Sequence, residues 1–537
     1  MCAKFNRPDT RPVGLSPITS ETAPTDRTHE GAPGYERETR SELWLLAVHN
    51  MVGENTFYEK ADKRDDRFTQ LVHQVAVADP NWFGPFVRWL RHDVHMRSAS
   101  LVAALEGAKA CLDAGEHGHS RQWVDAALAR ADEPGEALAY WTSRYGRRIP
   151  KPVKRGVADA VPRLYTERSL LKYDTPAHGW RFSDVLSMVR PAPAADKPWQ
   201  GALFEYAHER RHNRGTRPDP ELLPMLAHHG HLMEAGAADP ALLLDPAQLE
   251  RAGVTWETAL SLAGDRVGKA LLWESLIPSM GYMALLRNLR NFDEAGVSNE
   301  VAEQVEARLK DPEEVARSRQ LPFRFLSAYR AVSSLRWAWP LEQALNHALA
   351  NVPSLPGRTL VLVDRSPSMW WHKLSEHSDM DWAQAAAVFG AALAVRAERA
   401  DLVEFGMDHN PVSFNHRESV LKIVDRFTRH NGTDIPTAVA AHLREHHDRI
   451  VIITDEQTRP GWLPSNAHRH GGRPDTLIDD LVPAQTPLYM WNFAGYARGA
   501  APSGQSNRHT LGGLSDAAFS MIPLLEDGQN ASWPWED

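Results

Sequence analysis

Apolar positions over the first two thirds of the chain recur every three or four residues. Over the last third they gather into short unbroken runs. Ser41-Glu-Leu-Trp-Leu-Leu-Ala-Val-His has near-3.6 spacing behind a serine placed to cap a helix. Leu71, Val72, Val75 and Ala76 or Ala78 repeat that face within 68–78. The same pattern predicts helices at 82–94, 99–112, 122–128 and 136–141, then at 256–262, 269–276, 282–289, 299–309 and 323–334. Asp79-Pro80, Asp113-Ala-Gly115 and Glu133-Pro-Gly135 punctuate them. No strict sequence period emerges, so a consensus repeat is not claimed. Many short helices joined by short turns still point to an α-solenoid, in which each helix pair buries its face on its neighbours.

The character changes at Asn351-Val-Pro-Ser-Leu-Pro-Gly357, the best domain boundary in the chain. Beyond it, strands are predicted at 359–363, 401–405, 449–454 and 487–493, alternating with helices at 381–397, 417–427, 435–446 and 514–525. Such alternation implies a mostly parallel sheet covered on both faces, with ligands beyond the carboxyl ends of its strands. Residues 1–34, rich in Thr, Pro, Glu and Arg, read as a disordered arm. The expected organisation is this arm, a helical-repeat domain at 35–352 and an α/β domain at 357–537.

With 537 residues, the chain is too long for one hydrophobic core. It has no apolar run long enough to span a bilayer and no apolar secretory core at the N-terminus. Its two cysteines, Cys2 and Cys111, form no disulfide framework or cysteine metal site. A cytoplasmic location is the expectation. Net charge is −9, so nucleic-acid binding would need local basic patches. The 18 tryptophans are mostly core by expectation, with base stacking a second use.

Thr359-Leu-Val-Leu-Val-Asp364-Arg-Ser366-Pro-Ser368 places an aspartate and two hydroxyls just past a buried strand. Asp455 ends another such run, and Asn431-Gly-Thr433-Asp434 is a tight glycine turn opening a helix. Asp364, Ser366, Ser368, Thr433 and Asp455 would thus supply oxygen ligands from three loops at one sheet edge, a set suited to Mg²⁺. Each piece alone also reads as turn-shaping or helix-capping. Together they resemble the metal-ion-dependent adhesion site of von Willebrand factor A domains. That resemblance implies direct contact of the Ser/Ser/Thr set with the ion, and direct or water-mediated contact of the aspartates.

Tyr489-Met-Trp-Asn492-Phe-Ala-Gly495-Tyr496 and Thr510-Leu-Gly-Gly513-Leu-Ser-Asp516 resemble the C-terminal part of the TROVE family, the Ro autoantigen proteins. Gly281-Tyr-Met-Ala-Leu-Leu-Arg287-Asn-Leu-Arg290-Asn-Phe292, Leu321-Pro-Phe-Arg324-Phe325 and Gly179-Trp180 after Lys172-Tyr173 are similar to that family's helical strings. The resemblance covers about 35–525. It implies a ring of HEAT-like helical repeats closed by an α/β, Rossmann-like von Willebrand factor A domain. It also implies RNA binding, with small noncoding Y RNAs on an outer basic surface and single-stranded ends of misfolded RNA in a central hole.

Between residues 144 and 172 stand Arg144, Arg147, Arg148, Lys151, Lys154, Arg155, Arg163, Arg168 and Lys172, opposed only by Asp159 and Glu167. A phosphate-binding face is one reading and a solvated helix face the other. His178 and Arg181 flank Gly179-Trp180, and Arg287, Arg290 and Arg324 could line an inner wall or pair between helices. Arg210, Arg211, His212, Arg214 and Arg217 could extend the basic track or form an exposed loop. One departure stands out: Phe182 occupies the place where the family commonly has histidine, and the segment before Gly179 is poor in charge. Binding of a standard Y RNA is therefore less supported than RNA binding in general.

His442-Leu-Arg-Glu445-His446 matches the inverted zinc-peptidase string, but a solvated helix end is the favoured reading. His228-His229-Gly-His231 reads as a surface loop. The chain has no G-x-S-x-G and no P-loop sequence. The expectation is a non-enzymatic RNA-binding protein acting in RNA quality control, with a 3′→5′ exoribonuclease such as polynucleotide phosphorylase as a possible partner. The alternatives are an interaction scaffold whose metal site docks a partner's carboxylate, and a metal-dependent hydrolase.

Overall fold

A computed structural model describes residues 14–49, 52–177, 179–350, 352–371, 373–374, 379–461, 476–514 and 519–536. The chain divides into two compact units. One comprises 72–318 and 328–341; the other comprises 1–71, 319–327 and 342–537.

The first unit is helical, and among its described residues no strand occurs. Its helices include Pro80–His92, Arg97–Ala114, Ser120–Ala127, Glu133–Tyr145, Lys151–Leu164, Phe182–Val189, Tyr282–Ala295 and Asn299–Leu309. Successive helices pack on one another: Arg97–Ala114 lies against both Pro80–His92 and Ser120–Ala127, and the latter lies against Lys151–Leu164. One core layer joins Leu105, Val124, Trp141, Val157, Tyr165 and Phe182. Pro at the first helical turn recurs, as in Pro80, Pro152, Pro198 and Pro224, where the missing N–H costs nothing. The His228–His231 string, expected as a surface loop, lies instead inside helix Pro224–Ala238.

The second unit is built on strands β1 (Asp26–Arg27), β2 (Pro33–Glu36), β3 (Arg358–Asp364), β4 (Arg399–Phe405), β5 (His409–Pro411), β6 (Arg449–Thr454), β7 (Leu488–Asn492), β8 (Arg498–Gly499) and β9 (Arg508–Gly512). The main sheet has order β5-β4-β3-β6-β7-β9. All its pairings are parallel except β4 with β5. Leu360 pairs with Ile450 and with Asp401, which brings the C-terminal ends of β3 and β6 to one edge. Residues of β3 past Arg358 and all of β6 are buried, as continuous β-branched runs require in a sheet covered on both faces. Helix Trp382–Arg396 covers it, with Asp381 and Gln384 forming a capping box. Gly390 allows that close approach, since a Cβ there would lie 2.4 Å from Val363.

Several sequence expectations are corrected. Residues 14–34 do not form a loose arm: β1 and β2 pair with each other, and β2 pairs with β8. Edge pairing satisfies the backbone of a segment too polar to form a core by itself. Residues 1–13 lie outside the described residues. The compact division also falls elsewhere than 352/357, because 14–49 and 342–350 group with the sheet. Ser41 is no cap, since the helix begins earlier at Thr39; its hydroxyl accepts from the Thr19 amide at 2.9 Å. The predicted 417–427 helix shortens to Val420–Val424, and the last helix is Met521–Glu526. β9 was not expected, because Arg508 and His509 disguise a buried strand. Among the described residues no helix is long and apolar enough to cross a membrane.

Candidate functional site

Asp364 ends β3 and Asp455 follows β6, so parallel pairing sets them side by side at the carboxyl edge. Asp364, Ser366, Ser368, Thr433 and Asp455 are all essentially buried. The loop after β3 turns on Asp364 itself: Oδ1 accepts from the Ser366 amide at 2.8 Å, and Oδ2 accepts from the Thr454 hydroxyl at 2.5 Å. The Ser366 and Ser368 hydroxyls lie 3.1 Å apart. The third loop is fastened to the other two. The His430 amide donates to Arg365 O at 3.0 Å, the Arg459 amide to Thr433 O at 3.0 Å, and the Thr458 hydroxyl to Thr433 O at 3.3 Å. Gly406 admits this loop, because a Cβ there would meet His430 Cβ at 2.4 Å.

Electrostatics make the edge demanding. Burial pushes the Asp364 carboxyl up, although bonds from Ser366 and Thr454 favour its charged form. Burial, and then the adjacent Asp364 charge, push Asp455 well above the usual carboxylate range. Asp455 Oδ1 accepts from the Gln457 amide at 3.0 Å, while Oδ2 is buried without a hydrogen-bond partner. Two buried carboxylates, one with a bare oxygen, beside three hydroxyl side chains are a donor set that fits a small hard divalent cation.

The basic residues fall into two groups. Arg147, Arg148, Lys151 and Arg155 are exposed and Lys154 is half-buried; among the described residues none of the five has an ion pair. They occupy the approach to helix Lys151–Leu164 and its first two turns. Others are already engaged. Arg144 lies 3.0 Å from the fully buried Glu106. Against the upward push of burial, hydrogen bonds from His73, Tyr140 and Tyr145 hold that carboxyl below its usual range. Arg163 pairs with Asp125, and Arg181 makes a two-pronged pair with Asp174 at 2.6 and 3.2 Å. Arg210, Arg211, Arg214 and Arg217 each face a carboxylate within 4.0 Å.

Lys172 is exposed and lies over the Tyr173 ring at 5.2 Å. Arg290 pairs with Glu294 at 3.4 Å, Arg287 is exposed without an ion pair among the described residues, and Arg324 stacks on Phe323. His178 lies outside the described residues. Phe182 is core, stacked on Tyr165 at 3.6 Å.

The zinc-peptidase string does not share one helix. Ile435–His442 ends at its first histidine, which lies 2.8 Å from His409 Nδ1. A different trio, Asp401, His446 and His447, brings its ligand atoms within 4.8 Å of one another. Arg358 already holds Asp401 with two bonds of 2.7 and 2.8 Å, which balances that carboxylate without an ion.

Sequence reasoning missed the N-terminal groups on the sheet edge. Arg37 and Glu456 form a fully buried ion pair at 2.6 Å directly after Asp455, and Glu456 adopts φ +64°. Glu30 and Tyr58 stand beside the same loops, with the Tyr58 hydroxyl donating to Glu30 at 2.8 Å. Local pattern carried no signal for these pairings: Arg37 and Glu456 stand 419 positions apart, and Tyr58 and Glu30 28 apart.

Comparison with known proteins gives three results. The TROVE domain family model matches residues 241–377. That span includes Arg287, Arg290, Arg324 and the Asp364–Ser368 loop, and excludes Thr433, Asp455 and the 144–172 basic segment. Telomerase protein component 1 of Mus musculus is 45% identical over 83 residues, 15% of this chain and 3% of that protein; the Rattus norvegicus protein gives the same figures. The match thus spans only a small part of these curated relatives. The crystal structure of Deinococcus radiodurans Ro (RSR) protein matches with a TM-score of 0.60 over 92% of this chain and 100% of that one, at 18% identity. The two chains share a fold.

Proposed function

We propose that this chain, which carries a TROVE segment at residues 241–377, binds RNA: a small noncoding, Y-like RNA and the single-stranded ends of misfolded RNA. Its role is selection in RNA quality control or delivery to a 3′→5′ exoribonuclease such as polynucleotide phosphorylase, without turnover of its own. The HEAT-like ring and von Willebrand factor A domain belong to the same proposal, and the fold shared with a Ro protein supports it.

The carrying observation is the group of five cations without ion pairs around the start of helix Lys151–Leu164. A helix N-terminus is already electropositive, so lysines there repel the dipole unless an anion lies between them. Phosphate meets that need, and a net charge of −9 elsewhere makes the patch local. With Phe182 in the core and Arg181 held by Asp174, the Gly179-Trp180 end offers less to a standard Y RNA. Replacing Arg147, Arg148, Lys151 and Lys154 by alanine is expected to weaken RNA binding. Each lost phosphate contact should flatten the slope of log affinity against log salt by about 0.7–0.9. Unchanged affinity, measured by filter binding, would remove the basic face from the reading.

Asp364, Ser366, Ser368, Thr433 and Asp455 are proposed to hold Mg²⁺, which would neutralise the buried carboxylates and offer a position for one more oxygen ligand. A second reading is that the ion held at this edge takes a partner's acidic side chain as its further ligand, while RNA is handled by the helices. Ser366→Ala separates the two roles: metal affinity should fall while RNA affinity stays nearly constant. Hydrolysis of RNA by the pure protein in Mg²⁺ would contradict both readings.

A further inference from the structure

We propose that Glu30 supplies, in cis, a carboxylate charge that steadies the cation site through the Tyr58 hydroxyl it accepts from. The inference rests on the cation-site reading above and names a residue of the chain itself that supports the site without touching the ion.

The turn between β1 and β2 is seated on the loop that follows Asp455. The Thr28 hydroxyl donates to Thr458 O at 2.7 Å, the Ala32 amide to the same oxygen at 3.3 Å, and the His29 amide to Gln457 Oε1 at 2.9 Å. Gln457 and Thr458 are also the residues that fix Asp455 and Thr433, through the Gln457 amide and the Thr458 hydroxyl. The turn therefore shares its anchors with the oxygen cluster.

Glu30 stands at the tip of that turn. Its Oε1 accepts from the Tyr58 hydroxyl at 2.8 Å, and its Oε2 lies 3.4 Å from Arg459 Nε. Both partners lead back to the site. The Arg459 amide donates to Thr433 O, and the Tyr58 hydroxyl lies beside Ser368. Burial, then the Asp455 charge and the bond to Glu30, push the Tyr58 phenol far above its usual range. His29 stacks flat on Tyr58 with centroids 4.8 Å apart, and Tyr496 meets both edge-on, which fixes the arrangement.

The edge thus carries Asp364 and Asp455 inside, with one Asp455 oxygen bare, and Glu30 behind the Tyr58 hydroxyl. A third carboxylate one hydrogen bond behind the oxygen cluster adds negative charge that favours a divalent cation. Arg459 holds Glu30 from the flank, but that side chain is half exposed and the pair is weak by itself.

The probe is Mn²⁺, titrated against the full chain with free ion read by electron paramagnetic resonance. Glu30→Gln, which keeps size and can still accept from Tyr58, is expected to weaken Mn²⁺ binding roughly ten- to a hundredfold. Asp455→Asn is expected to abolish it. In the wild type, Mn²⁺ should slow hydrogen exchange of the His29 and Gly31 amides. Wild-type Mn²⁺ affinity in Glu30→Gln, with loss in Asp455→Asn, overturns the proposal and leaves the cation site standing. Wild-type affinity in Asp455→Asn overturns the cation site and this inference with it. Unchanged exchange at His29 and Gly31 on adding Mn²⁺ also overturns the proposal, and it needs no variant to fold.

Discussion

His49 shows how a single side chain ties stability to pH. Its Nδ1 lies 2.8 Å from Leu45 O and its Nε2 accepts from the Gly513 amide at 3.0 Å, so the ring is bound as the neutral tautomer. Burial lowers its pKa to about 4, and burial lowers that of His509 to about 4 as well. Both values lie below that of an unfolded histidine, so the unfolded chain takes up protons first as pH falls. Their contribution is complete above about pH 6.5 and is lost progressively down to pH 4. Urea unfolding of the sheet unit should weaken across that window by on the order of 1–3 kcal/mol per histidine. His49→Gln should flatten the dependence while lowering stability at pH 7. A midpoint independent of pH would contradict the neutral assignment.

At the scale of elements, the hairpin of β1 and β2 depends on a buried charge pair. Arg37 donates to Glu456 at 2.6 Å and to Thr510 at 3.3 Å; Glu456 also accepts from Asn492 and from the Ala500 amide. Arg37→Met would strand a carboxylate in the interior, at a cost of about 3–5 kcal/mol in equilibrium unfolding. It should also raise the protease sensitivity of 14–36. A loss under 1 kcal/mol would mean that Glu456 finds water or another donor.

This element marks the limit of what the chain's pattern reveals. Buried β-branched runs disclosed β3 and β6, and with them the places of Asp364 and Asp455. The helix expected from 381 and the helical spacings in 256–309 were equally local. β1 and β2 are short and polar, and although they pair with each other, β2 is held on its other side by β8 from the far end of the chain, an interaction that no window of sequence contains. Arg181 gives the same lesson: its charge was visible, while its commitment to Asp174 was not.

Across the whole molecule, the charge balance sets the expected behaviour toward polyanions. A chain of net charge −9 with an unneutralised patch at 147–155 should bind RNA weakly at high salt and sharply better at low salt. Competition with heparin should track the same residues. Salt-independent binding would indicate stacking or shape instead of phosphate contacts.

The ion pair between Arg37 and Glu456 joins positions 419 residues apart. On the ribosome, at about 5–20 residues per second, Arg37 waits roughly 20–80 s before its partner is made. Throughout that interval helix Thr39–His49, with Leu43, Leu45 and Leu46 meant for burial, has no sheet to rest on. The nascent chain therefore presents a greasy segment early and conceals it last. Burial of Leu43, Leu45 and Leu46 must wait until the last strands of the sheet are made.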